Sequence, residues 1–112
     1  MFLETLPNVW DNLDLVKRVE ITRASTAKGS LWQIEFQFEP HEVRIISETS
    51  LMACQIVWTA ILRYKQDGIV FIDNEDLRKI RSSAEQQVKE AENDKRRHET
   101  KDSTADRKDH GG

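Results

Sequence analysis

The chain is 112 residues long, 38% hydrophobic and 33% charged, with a formal net charge of −3 and one cysteine. That length fits one domain whose core can stand without metals, and a lone cysteine excludes an intramolecular disulfide. No run reaches the ~20 apolar residues that cross a bilayer. "MFLETLPNVW" has no basic n-region and no continuous apolar h-region, so a cytoplasmic protein with no membrane role is expected.

Charge divides unevenly. Residues 1–80 hold 9 Lys/Arg against 12 Asp/Glu, and residues 81–112 hold 8 against 8. The mild acidity of the first part disfavours a nucleic-acid backbone as main partner, since neutralising phosphates takes a concentrated basic face.

"TLPNVWDNLDLV" reads first as a short helix or turn. Thr5 is placed as N-cap and Pro7 in the first turn, with Val9, Trp10, Leu13 and Val16 at helical spacing. "VKRVEITR" follows as a strand. Its β-branched content favours a strand, with Lys17, Val19, Ile21 and Arg23 on one face and Arg18, Glu20 and Thr22 on the other. "ASTAKGS" is a turn-rich loop with Gly29. In "SLWQIEFQFEP", Trp32, Ile34, Phe36 and Phe38 alternate with Gln33, Glu35 and Gln37, a period of two with one wet face. This is the mark of an antiparallel strand, ended by Pro40. "VRIIS" begins a third strand through Val43 and Ile45, completing a meander.

Ser47 then caps a helix, with Glu48 in its first turn, that runs to about Gln66 and stops at Gly68. "IVFI", Ile69 to Ile72, reads as a short buried strand. A second helix begins at "DNED", where Asp73 or Asn74 is the cap. Its apolar stripe is thin: Leu77, Ile80, Ala84, Val88 and Ala91. From about Asn93 the chain has nothing to anchor a core, and a disordered charged tail is expected over 98–112.

Catalytic patterns are missing from the sequence. Cys54 lies mid-helix beside Leu51, Trp58 and Ile61, an apolar setting that raises a thiol pKa and suits a core residue. His41, His98 and His110 have no zinc-site spacing. There is no phosphate loop or nucleophile elbow. Asp73, Glu75 and Asp76 are explained by helix capping, and a metal role for them belongs to a weaker reading, a small metal-dependent enzyme. No catalytic, cofactor-binding or metal residue is therefore assigned.

The central helix carries the strongest functional signal. Its polar residues Glu48, Gln55, Thr59, Arg63 and Gln66 gather in one stripe, leaving an apolar arc of about 240°, far wider than one buried face needs. Leu51, Cys54, Trp58, Ile61 and Leu62 suit the sheet. Ala53, Ile56, Val57, Ala60 and Tyr64 need another cover: the second helix, the N-terminal segment with Trp10, or a partner.

The expectation is a single α+β domain over 1–97. It has a three-stranded antiparallel meander plus a short fourth strand packed on a long central helix, then a C-terminal helix and the tail. Its expected role is non-catalytic protein binding, as an adaptor, inhibitor or regulatory subunit, with a phage- or plasmid-borne inhibitor or immunity-type protein as the class prior. Ala53, Ile56, Ala60, Tyr64 and Trp10 are the candidate partner-binding residues, and a homodimer is one candidate partner. A nucleic-acid-associated regulator using Lys17, Arg18, Arg23, Lys28 and the "KRRHETK" cluster is the next reading.

Overall fold

The computed structural model describes the backbone of residues 1–111 and the side chains of residues 1–96. It is an α+β structure with two three-stranded sheets and two helices. In chain order the elements are β1 (Phe2–Leu6), β2 (Val9–Asn12), a 3-10 turn (Leu13–Leu15), β3 (Arg18–Thr26), β4 (Gly29–Gln37), β5 (Val43–Glu48), α1 (Leu51–Gln66), β6 (Phe71–Ile72) and α2 (Asn74–Gly111). The tail expected over 98–112 lies outside the described side chains.

The meander β3-β4-β5 forms as its alternation predicts. Cross-strand rows set its inner face: Val19–Phe36–Arg44, Ile21–Ile34–Ile46 and Arg23–Trp32–Glu48. Ile34, Phe36 and Ile46 are buried there, while Glu20, Glu35 and Ile45 share the opposite face. The β3–β4 turn is closed by the Thr26 hydroxyl, which donates to the Gly29 carbonyl at 2.6 Å. Gly29 has φ +122, a conformation open to glycine.

The third strand forms where expected, and its register decides which face is inward. Val43 and Ile45 point outward and are exposed, and Ile46 and Glu48 point inward. The reason is register: pairing Ile46 with Ile34 puts the even-numbered residues on the core side. As a result Ser47 and Glu48 end a strand instead of opening a helix. Ser50 is the N-cap of α1, its hydroxyl accepting from the Ala53 amide at 3.0 Å. The end of α1 is as expected, with Gly68 at φ +79 just beyond Gln66.

The N-terminal segment is not a helix. Phe2–Leu6 and Val9–Asn12 form an antiparallel hairpin. Pro7 and Asn8 occupy its turn, with Asn8 at φ +64, a left-handed position that Asn tolerates. The Asn8 amide donates to the Glu4 carboxylate at 2.9 Å. A Pro-Asn turn between two β-prone runs outweighs helical spacing spread over few residues.

"IVFI" is a strand only at Phe71–Ile72, and only Ile72 of its four residues is buried. It pairs parallel with β1, not with the meander, so the second sheet has the order β2-β1-β6. Leu3 and Ile72, opposed across that pair, are both fully buried.

Helix α1 lies against the meander, Trp58 meeting Phe36 edge to face at 5.7 Å. Helix α2 packs on α1 and β1. Its start is fixed by Asp73, whose carboxylate accepts from the Asp76 amide at 2.8 Å, and by Glu4, which accepts from the Asn74 amide at 2.7 Å. Leu77, Ile80 and Ala84 complete a core shared with Leu3, Ile34, Phe36, Ile46, Cys54, Val57, Ile61 and Ile72. The Arg44–Asp11 pair (3.0 Å) ties the two sheets together.

Candidate partner-binding surface

The residues proposed from the α1 wheel separate. Ala53 is 1% exposed, and Val57 beside it is fully buried. Ile56, Ala60 and Tyr64 are half-buried and line a groove with Ile80 and Gln87 of α2. The thin stripe of α2 thus covers much of the second face, and Ala53 and Ala84 are both buried. What remains open is a groove of about 360 Å³ over Gln55, Ile56, Thr59, Ala60, Arg63 and Gln87. Met52 also lines it, so polar and apolar side chains share this surface.

Trp10 sits elsewhere. It lies on β2 opposite Glu4, and its ring meets Phe71 edge to face at 5.9 Å. Phe2 stacks on Phe71 at 5.7 Å. The cross-strand pairs Phe2↔Phe71, Phe2↔Asn12 and Glu4↔Trp10 place all three rings on one face of the β2-β1-β6 sheet. Leu3 and Ile72 occupy the other face, toward the core. Phe2 is 36%, Trp10 43% and Phe71 61% exposed, and Leu6 is exposed at the hairpin end.

Trp10 was identifiable from the sequence as an unplaced aromatic. Phe2 and Phe71 were not, because neither the hairpin nor its parallel pairing with "IVFI" is visible without tertiary contacts. A signal was present: "MFLE" and "IVFI" each carry more apolar residues than a one-sided strand buries.

The polar chemistry is structural. Glu48, only 3% exposed, is paired with Arg81 at 2.6 Å, and Arg81 also donates to the Ser47 carbonyl at 2.8 Å. Cys54 is a free, fully buried thiol. Burial foremost, with the Glu48 carboxylate adding and Arg81 opposing, raises its pKa to about 11. It therefore lacks the thiolate that nucleophilic chemistry needs.

Asp73 is engaged as a cap. Among the described residues no group of three or more His, Cys, Asp or Glu is arranged to hold a metal ion. No described helix is long and apolar enough to cross a membrane. Of the cations in the nucleic-acid reading, Lys17 pairs with Glu39 and Arg18 with Glu20, and Arg23 donates to Ser30 at 3.2 Å.

No protein-family model matches the chain, and no curated protein or solved structure shows significant similarity to it.

Proposed function

We propose that this chain is a small non-catalytic protein-binding module of the adaptor, inhibitor or regulatory-subunit kind, and that it acts in the cytoplasm. The observation carrying this reading is the aromatic face of the β2-β1-β6 sheet. Fully burying a Phe stabilises by about 1.5–3 kcal/mol. Here three clustered rings leave part of that unrealised, Phe71 most of all. Contiguous exposed apolar area of this kind marks interaction sites, and Trp and Phe are enriched where binding energy concentrates. The test is affinity capture of a stoichiometric partner from native cells by the wild-type chain and by Phe71→Ser, with sizing of the pure protein. Capture by the wild type supports the reading. A strictly monomeric chain with no stoichiometric partner would refute it.

The α1–α2 groove supports a second, smaller surface made by Ile56, Ala60 and Tyr64. A homodimer through it predicts that Ala60→Glu converts dimer to monomer without unfolding the chain.

A further inference from the structure

From the aromatic face and the charge around it we infer the chemistry of the partner: a cationic, arginine-bearing segment of another protein that lies across Phe2, Trp10 and Phe71. The inference rests on the protein-binding reading above and narrows it. Residues 1–16 and 66–79, which build and flank the small sheet, hold seven Asp/Glu against two Lys/Arg, Arg78 and Lys79. Residues 17–65, which form the meander and α1, hold seven Lys/Arg against five Asp/Glu. The acidity of the folded part is thus concentrated where the rings are.

Some of those carboxylates are already engaged. Asp11 pairs with Arg44 and Asp14 with Lys65, Glu4 accepts two backbone amides, and Asp73 caps α2. Asp67, Glu75 and Asp76 carry no ion pair among the described residues, and they flank β6 on either side along the chain.

This charge selects among occupants. A second copy docking through the same face would set one acidic sector against another, which costs free energy in a self-complementary contact. RNA stacking on sheet aromatics needs basic neighbours for its phosphates, and those beside this sheet, Arg44 and Lys65, are already paired with Asp11 and Asp14. An anionic lipid surface meets the same repulsion. A cationic segment gains twice. Guanidinium planes stack on exposed Trp and Phe rings and are attracted by their negative faces, and the surrounding carboxylates steer and hold the charge.

Fluorescence anisotropy of labelled twelve-residue peptides tests this. One alternates Arg with Val, one replaces each Arg by Lys, one by Ser and one by Glu. The wild type is expected to bind the Arg peptide best, more weakly as salt rises. Phe71→Ser and, separately, Trp10→Ser should each weaken binding about tenfold, with unchanged melting curves confirming the fold. Asp67→Lys/Glu75→Lys should weaken it similarly at low salt. Three results would each overturn the inference: equal binding of the Ser or Glu peptide, undiminished Arg-peptide binding by both ring variants, or preferential binding of polyuridine or anionic vesicles. A captured cellular partner retained by Phe71→Ser would move the interface elsewhere and leave the protein-binding reading intact. Absence of any partner would remove that reading itself.

Discussion

The two sheets are each three-stranded and each covers the same core, yet their outer faces differ. The meander buries Ile34, Phe36 and Ile46 and sets Glu20, Glu35 and Gln37 on the other side with the aliphatic Val43 and Ile45 but no aromatic ring. The small sheet buries Leu3 and Ile72 and presents Phe2, Trp10 and Phe71 outward. Alternation tells inside from outside only where one set is polar. In the small sheet both sets mix apolar and polar residues, Leu3 and Ile72 with Asp11 on one side and Phe2, Trp10 and Phe71 with Glu4 and Asn12 on the other, so alternation does not decide which is core. The outer rings are the aromatic part of the apolar surface that the fold leaves exposed.

Paired substitutions sharpen this contrast most. Phe36→Ala removes a fully buried ring and should cost about 3–5 kcal/mol in urea unfolding. Phe71→Ala removes a ring that is 61% exposed and should cost less than about 1 kcal/mol. Equal costs would mean that the outer rings are structural, and the contrast between the sheets would fail.

The next effect comes from the polar end of the meander's inner face. Glu48 is buried and its partner Arg81 is only partly so. Arg81→Ala strands a buried carboxylate and should cost about 2–3 kcal/mol, below the usual range for buried pairs because the arginine reaches solvent. The double replacement Glu48→Gln/Arg81→Met should recover most of that loss. A single-variant cost below about 0.5 kcal/mol would show that water already serves Glu48.

The same side of the meander holds the thiol. Because the folded-state pKa of Cys54 is raised from 9.0 to about 11, the folded chain keeps a proton that the unfolded chain gives up. That contribution to stability is complete below pH 9 and fades as pH climbs toward 11, by up to about 2 kcal/mol. The stability of Cys54→Ala should fall less steeply over that window. Identical slopes for the two proteins, or rapid alkylation of the native thiol at pH 8, would contradict the buried setting.

Legibility from sequence followed the range of the interactions. The meander was readable because "SLWQIEFQF" alternates strictly, and that pattern is local. The C-terminus of α1 was readable from Gly68, also local. The hairpin was missed because Val9, Trp10, Leu13 and Val16 mimic helical spacing by coincidence, while the deciding features are a two-residue turn at Pro7 and Asn8 and pairing across it. Which face of β5 is inward follows from a single register choice, Ile46 against Ile34, and the five residues of "VRIIS" do not announce it. Within the candidate surface, Trp10 was named for the wrong neighbourhood. Its contacts with Phe71, and those of Phe71 with Phe2, join residues 61 and 69 positions apart, a separation no periodicity can report.

The smallest expected effect probes the inner side of the small sheet. Thr5 suits an N-cap by residue type, but it lies in β1, and its hydroxyl is buried with no hydrogen-bond partner among the described residues. A buried hydroxyl left unmade costs on the order of 1–3 kcal/mol, and removing the group removes that cost. Thr5→Val keeps the shape and the β-branching that a strand favours, so it should raise stability by about 1 kcal/mol, seen as a higher urea midpoint at unchanged slope. The aromatic face opposite should be untouched, so the same variant should bind the arginine peptide as the wild type does. A lowered midpoint would mean that the hydroxyl is satisfied in solution, and that the inner side of the small sheet is wetter than the inner side of the meander.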